Sequence, residues 1–345
     1  MNGCDKTMKT VLSCLVAVAS FSNSAQLTAQ ASCRISVPVI ALASGPTGGI
    51  SANELRAKVK GKEIAIKEIE PPPATRRFVF VLDRSGSMTG PGETGHNLDP
   101  LVKRGLDSAI SEIAATGAVA FLTFAGQYAQ RTEFMPPDVA QGKIAEMLAW
   151  APKAKAIRTT PLWDSIDKAG KMLSPHEPGD VIVIVSDGMD NASDLSLSDV
   201  EKELTRAGIT VLAMIAFNSP FAPARGGPPD LIALTKATGG TPAVIHILAN
   251  AGPVLLLPGP FPLPDPRPNA ERQLNPDQLI PQLAHQFSLD LELPAFQKPE
   301  EWKLTINSPE ARRNIDLLYP RLLYPAVQPN NPISSLSQVS RSQAE

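Results

Sequence analysis

The sequence has 345 residues, of which 43% are hydrophobic, 19% are charged and only 5% are aromatic, and its formal net charge at pH 7 is −2. This length allows one large domain, or a medium-sized domain with a smaller one beside it. The near-neutral charge gives no electrostatic footprint for nucleic acid or for an anionic membrane surface, and the 34 prolines indicate extended linkers or strand edges.

Residues 1–31 are predicted to be a signal peptide. Lys6 and Lys9 precede the apolar stretch Val11–Ala19, which is too short to cross a bilayer, and a small-residue cleavage motif ends at Ala31. A retained anchor is the alternative reading of this segment. We therefore expect an exported protein, located in the periplasm, on the cell surface or in the medium.

The predicted signal peptide leaves two possible initiation residues, and its cleavage would leave one cysteine. Met8 begins a more usual signal sequence than Met1, so either methionine can be the initiation residue. Cleavage after Ala31 leaves Cys33 as the single cysteine, which excludes an intramolecular disulfide and predicts a free thiol.

Residues 33–72 are predicted to be rich in β-strand. Apolar and polar residues alternate in several short stretches, and Lys60–Lys62 indicates a hairpin turn between two of them. Three consecutive prolines, residues 71–73, mark the end of this segment.

Residues 76–248 have a different pattern, in which continuous apolar runs alternate with helical periodicity. The runs are Phe78–Leu82, Ala118–Phe124, Val181–Val185, Ile209–Phe217 and Ala243–Ile247. Such runs are typical of strands that are buried on both faces. The sequence thus predicts an α/β fold, with a doubly wound and mostly parallel sheet and helices on both of its faces.

Three further segments follow this domain. Residues 252–272 are predicted to be a proline-rich linker, residues 273–325 a C-terminal helix plus β segment, and residues 326–345 a disordered tail. Neither β-rich flank has enough apolar surface to fold alone, so we expect the two flanks to join in a small β-sandwich-like module.

Oxygen-bearing side chains follow two of the predicted strands. Asp83, Ser85 and Ser87 follow the first strand of the α/β domain, Asp187 follows a later one, and Thr160 opens a predicted helix. Because ligands collect at the carboxyl ends of parallel strands, these five residues are candidate ligands of one metal ion. Hard oxygen donors suit Mg²⁺, or Mn²⁺ or Ca²⁺, better than Zn²⁺. The alternative is that Asp83 and the two serines only form a turn.

The pattern Asp83-x-Ser85-x-Ser87, with Thr160 and then Asp187 in Ser-Asp-Gly, resembles the metal-ion-dependent adhesion site of von Willebrand factor A (VWA) domains. The resemblance implies that these residues bind a divalent cation for adhesion rather than for catalysis.

The resemblance extends over about residues 76–248, and the segment Asp230–Gly240 is similar to the helix and turn before the last strand of bacterial VWA proteins. The flanks resemble exported bacterial VWFA-related proteins. In many relatives glycine precedes the threonine ligand, whereas Thr159 stands there in this chain, so either Thr159 or Thr160 can be the ligand.

We expect a non-enzymatic protein whose metal has an open coordination position that accepts an Asp or Glu from a protein partner. His96, Asp190 and Asn191 are candidate partner contacts near the metal, and the polarity of exposed loops is the simpler explanation of each. Neither a nucleic acid nor a small-molecule cofactor is expected. The alternatives are a metal-assisted hydrolase with His96 as its base, or a structural envelope protein whose metal only ties loops together.

Overall fold

The computed structural model describes residues 32–43, 50–71, 73–89, 99–150, 159–217, 228–246, 276–294 and 296–325. The predicted signal peptide, the proline-rich linker at 252–272, the tail at 326–345 and His96 lie outside these residues. The strands are β1 (Ser32–Ala43), β2 (Leu55–Val59), β3 (Lys62–Glu70), β4 (Arg77–Asp83), β5 (Ala118–Ala125), β6 (Tyr128–Arg131), β7 (Val181–Ser186), β8 (Thr210–Phe217), β9 (Pro242–His246), β10 (Gln286–Pro294), β11 (Glu300–Ile306), β12 (Ile315–Leu318) and β13 (Leu322–Leu323).

The helices of the described residues lie mainly between the middle strands. They are α1 (Gly86–Thr89), α2 (Asp99–Ser111), α3 (Pro137–Ala149), α4 (Leu162–Met172), α5 (Leu197–Arg206), α6 (Pro228–Ala237) and α7 (Pro309–Asn314), with short 3-10 helices at Ala52–Glu54, Pro276–Gln278 and Pro281–His285. Within the described segments, no helix combines the length and the apolar character needed to cross a membrane.

Seven strands from the two ends of the chain form one antiparallel sheet, in the order β12-β1-β10-β3-β2-β11-β13. Ile35 in β1 lies opposite Leu291 in β10, and Leu55 in β2 lies opposite Ile306 in β11. The segments before and after the middle of the chain therefore share a single sheet.

The second sheet has six strands in the order β6-β5-β4-β7-β8-β9. β4 runs parallel to both β5 and β7, and β8 runs parallel to β7 and β9. The edge strand β6 runs antiparallel to β5 and follows it through a tight turn at Gly126, where φ is 54°. This sheet is therefore mixed.

Both faces of the mixed sheet are covered by apolar cores. Phe78, Phe80 and Leu82 of β4 pack in one core together with residues of α2 and α3. Val79 and Val81 of the same strand pack on the other face, with residues of α4, α5 and α6. Burial on both faces explains why β4 reads as an uninterrupted apolar run.

A third core lies on one face of the antiparallel sheet. It takes every second residue of its strands, which is the pattern of a strand with one buried face. Its members include Val37 and Val39 of β1, Leu289, Leu291 and Leu293 of β10, and Trp302, Leu304 and Ile306 of β11.

Polar and apolar contacts join the two sheets at the start of β4. Arg76 donates hydrogen bonds to the side chain of Gln286 and, over 2.8 Å, to the carbonyl of Leu283. Gln286 donates in turn to Thr210 Oγ1 over 2.9 Å. Leu283 also packs, with Ile40, in the core under the mixed sheet. These contacts attach the antiparallel sheet at the amino-terminal edge of the mixed sheet.

The predicted fold class was wrong. The sequence predicted a doubly wound, mostly parallel α/β fold with a small sandwich-like module, whereas the larger sheet is antiparallel with seven strands and the other is mixed. The flanks form one continuous antiparallel sheet. The two flanks were expected to join, but the size of their sheet and the antiparallel pairing of β6 depend on strand pairing that local periodicity does not encode.

Candidate metal centre

Two aspartates lie at the carboxyl ends of neighbouring parallel strands. Asp83 is the last residue of β4, and Asp187 directly follows β7. The two strands are in register, with Leu82 opposite Val185. Asp83 is only 2% exposed, and Asp187 is partly buried. The mixed sheet therefore carries both carboxylates to the same edge.

The chain after Asp83 folds back on that residue. Asp83 Oδ1 accepts a hydrogen bond from the Ser85 amide over 2.8 Å, and the hydroxyls of Ser85 and Ser87 lie 3.1 Å apart. The Ser85 carbonyl accepts from the amides of Met88 and Thr89, which closes the short helix α1. Ser85 is buried and Ser87 is exposed, so the two hydroxyls extend from the buried carboxylate toward the surface.

Ser186 is a further residue of this centre that the sequence analysis did not single out. Its hydroxyl donates to Asp83 Oδ2 over 2.7 Å and accepts from the Gly188 amide over 3.0 Å. Gly188 has a φ of 80°, which favours glycine and turns the chain sharply after Asp187. The signal in the sequence was a hydroxyl residue at the end of the apolar run Val181–Val185.

Thr160 lies in a loop that is tied to the same edge from two sides. The carbonyl of Thr159 accepts from the amide of Gly126, directly after β5, over 2.9 Å. The amide of Thr160 donates to Asn191 Oδ1 over 2.7 Å, and Asn191 follows Asp187 by four positions. Thr160 is 4% exposed whereas Thr159 is exposed.

Asp190 and Asn191, the two described candidates for partner contacts, bond to the chain itself. Asp190 Oδ1 accepts from the Leu162 amide over 2.8 Å and from the Ser193 hydroxyl over 2.5 Å. Asn191 exchanges two hydrogen bonds with the backbone of Thr160. Asp190 therefore bonds to the first residue of α4, and Asn191 bonds to the loop residue two positions before the helix.

The buried carboxylate of Asp83 is in an environment that disfavours its charge. Burial, and then the negative charge of Asp187, raise its pKa to about 6, although hydrogen bonds from Ser186 and Ser85 act in the opposite direction. In the described segments no basic side chain forms an ion pair with either aspartate.

The adjacent Arg84 is also buried, at 6% exposure, but its guanidinium pairs with Asp99 at the start of α2. Among the described residues, Asp83 and Asp187 therefore lie close together without a basic side chain paired to either of them.

The donors at this edge fit a hard divalent cation. No group of three or more His, Cys, Asp or Glu side chains in the described part of the chain comes together to hold a metal ion. A metal here would be bound by two carboxylates and by hydroxyl oxygens, a donor set that suits Mg²⁺, Mn²⁺ or Ca²⁺ and not Zn²⁺. Such an ion would supply a positive charge that no basic side chain of the described residues supplies to the two aspartates.

Comparison with protein-family profiles finds no match for this chain, and comparison with curated protein sequences finds none either. Among solved structures, the chain is similar to the conserved hypothetical protein BatB from Bacteroides thetaiotaomicron, with 17% identity, a TM-score of 0.39, and coverage of 49% of this chain and 89% of that one.

Two further solved structures are similar to the chain. One is an aerotolerance-related membrane protein from Bacteroides fragilis, with 15% identity and a TM-score of 0.39; the match covers 50% of this chain and 92% of that one. The other is proximal thread matrix protein 1 from the mussel byssus, with 14% identity and a TM-score of 0.42; the match covers 65% of this chain and half of that protein. Identities of at most 17% and TM-scores of at most 0.42 carry no argument about the function of this chain.

Proposed function

We propose that this protein is an exported, VWA-like binding protein that captures a protein partner through a divalent cation. The observation that carries the proposal is the pair Asp83 and Asp187, which lie together at one sheet edge beside hydroxyl groups and without a basic partner in the described residues. Two carboxylates balance the charge of one divalent cation, so the pair and the ion are matched.

Asp83, Ser85, Ser87, Thr160 and Asp187 are the residues that would hold the metal. The aspartates supply its charge neutralisation, and the hydroxyl oxygens bind without adding charge. When bound, the ion supplies a positively charged position that a carboxylate from another protein can occupy. Ser186 keeps the Asp83 carboxylate in place through its hydrogen bond to Oδ2.

The proposed partner is a protein that presents an Asp or Glu side chain. A cation with an open position binds such an oxygen through a strong, charge-assisted contact. The near-neutral net charge of −2 gives no basis for binding nucleic acid. Because binding needs no general base, we propose that the protein is not an enzyme. Export is proposed from the predicted signal peptide at residues 1–31.

The test is capture of proteins from a cell-envelope extract by the chain from Ser32 to Glu345. Capture is compared in Mg²⁺, in EDTA, and with Asp83→Asn, while Asp138→Asn at an exposed position of α3 serves as the matched control. The proposal expects a partner that is retained by wild type and Asp138→Asn in Mg²⁺ only. Equal capture in all conditions, or capture that survives Asp83→Asn, would contradict it.

A further inference from the structure

The start of α4 has an unusual source of hydrogen-bond acceptors. The first amides of a helix have no partners within the helix, and a residue just before the helix commonly accepts from one of them. Pro161 occupies this position and forms no side-chain cap. The Leu162 amide instead donates to Asp190 over 2.8 Å, and the Asp164 amide donates to Ser193 over 3.2 Å. The acceptors come from the segment that follows Asp187.

Hydrogen bonds also run in the opposite direction between the same two segments. The Asp164 carboxylate accepts from the amides of Asp194 and Leu195, over 3.2 and 3.0 Å. The Asn191 amide donates to the Thr160 carbonyl over 3.1 Å, while Asn191 Oδ1 accepts from the Thr160 amide over 2.7 Å. Six hydrogen bonds therefore join residues 159–164, the Thr160 loop, to residues 187–195, the Asp187 loop.

Each of the two loops carries one of the proposed metal ligands. Thr160 and Asp187 are separated by the whole of α4 and β7. A relative shift of the loops would move the hydroxyl away from the carboxylates. The hydrogen bonds of Asp190 and Asn191 to the Thr160 loop oppose that shift, and the negative charge of Asp190 is also favourable at the amino-terminal end of α4.

We infer that Asp190 and Asn191 are positioning residues, which lock the Thr160 loop to the Asp187 loop and so assemble the site before a ligand arrives. Their part in metal binding rests on the proposed function, whereas the locking of the two loops does not. The sequence-based hypothesis that these two residues contact a partner stays a prediction.

The test combines backbone amide exchange with metal affinity. Exchange of the Thr160 and Leu162 amides is followed by NMR in the protein without added metal, for wild type, Asn191→Ala and Asn191→Asp. The alanine variant removes the acceptor of the Thr160 amide, so that amide is expected to exchange about tenfold faster or more. Aspartate retains an oxygen at the same place, so slow exchange is expected to return. Asp194→Asn is the control, because its exposed side chain lies in the same loop and makes none of the six bonds.

Binding of Mn²⁺ to the same proteins is measured by calorimetry. Asn191→Ala is expected to weaken affinity by about 10- to 100-fold, as for other residues that orient metal ligands, and Asn191→Asp is expected to restore most of it. Unchanged exchange at Thr160 in Asn191→Ala would overturn the locking of the loops. Faster exchange with unchanged Mn²⁺ affinity would overturn the positioning role. If wild type binds no Mn²⁺ while the exchange results hold, the locking stands and the proposed function fails.

Discussion

The two edges of the mixed sheet each bury an aspartate, but in opposite electrostatic settings. At the amino-terminal edge, Asp180 is 1% exposed and accepts two hydrogen bonds from Arg77, over 2.9 and 2.7 Å. At the carboxyl-terminal edge, Asp83 is equally buried, and in the described part of the chain it faces Asp187 and pairs with no basic side chain.

The pKa values follow this difference. Hydrogen bonding to Asp180 raises the pKa of Arg77, whereas burial and Asp187 raise the pKa of Asp83. A buried carboxylate with its own counter-charge is a structural element. One without a counter-charge costs stability and marks a place where an external cation can bind.

The largest effect is expected from breaking the pair at the amino-terminal edge. Arg77→Ala leaves Asp180 buried and uncompensated, so we expect the free energy of unfolding to fall by about 3–5 kcal/mol. Urea denaturation measures the change. Lys171→Ala, which removes an exposed pair with Asp167, is the control and is expected to cost less than about 0.5 kcal/mol. A loss below about 1 kcal/mol in Arg77→Ala would mean that the two edges do not differ in this way.

Asp83→Asn is expected to do the opposite and stabilise the metal-free protein at neutral pH. The pKa of Asp83 is about 6, above its ordinary 3.8, so its contribution to stability is complete below pH 3.8 and is lost as pH rises through about 6. One pKa unit corresponds to about 1.4 kcal/mol, so the free energy of unfolding of Asp83→Asn is expected to exceed that of wild type at pH 7 by about 3 kcal/mol at most. An asparagine side chain at this position can still accept a hydrogen bond from the Ser85 amide, and its NH2 group can donate one to the Ser186 hydroxyl.

Urea denaturation between pH 4 and 7 in EDTA measures this effect. Wild type is expected to lose stability relative to Asp83→Asn across that range. A constant difference in the free energy of unfolding between the two proteins at all pH values would show that ionisation of Asp83 does not destabilise the fold.

Metal binding is expected to offset the destabilisation caused by the charge of Asp83. At a Mg²⁺ concentration of 100 times Kd, the free energy of unfolding should rise by about 2.7 kcal/mol. Thermal unfolding with and without EDTA measures the rise, which should be absent in Asp83→Asn and Asp187→Asn. An equal rise in these variants would place the ion elsewhere in the protein.

The smallest effect is expected from Ser186→Ala. It removes one hydrogen bond to Asp83 and the acceptor of the Gly188 amide, which should cost about 1 kcal/mol and raise the pKa of Asp83 further. Urea denaturation and a Mg²⁺ titration measure the loss of stability and of affinity, with the exposed Ser198→Ala as control. Identical behaviour of the two variants would remove Ser186 from the centre.

The sequence predicted the buried strands of the mixed sheet better than the arrangement of the whole chain. Runs such as Val181–Val185 are local signals of burial on both faces, and they correspond closely to β7. β6, Tyr128–Arg131, has no such run and was missed, although its antiparallel pairing makes the sheet mixed. The pairing of Leu55 with Ile306 depends on tertiary packing that no local pattern encodes.

In the candidate site, too, features with a local sequence signal could be predicted and features set by tertiary contacts could not. Asp83 and Asp187 could be found from the sequence because each follows an apolar strand at a fixed spacing from hydroxyl or glycine residues. The bonds of Asp190 and Asn191 to the Thr160 loop could not, because they join segments about thirty positions apart through side-chain geometry. Ser186 was visible as a residue, but its bond to Asp83 depends on the alignment of β4 with β7.

Calorimetric titration of the chain from Ser32 to Glu345 with Mg²⁺ and with Mn²⁺ tests the central claim most directly. We predict binding of one ion in wild type and in the control Asp138→Asn, and loss of that binding in both Asp83→Asn and Asp187→Asn. Absence of binding in wild type, or binding that both aspartate variants retain, would contradict it.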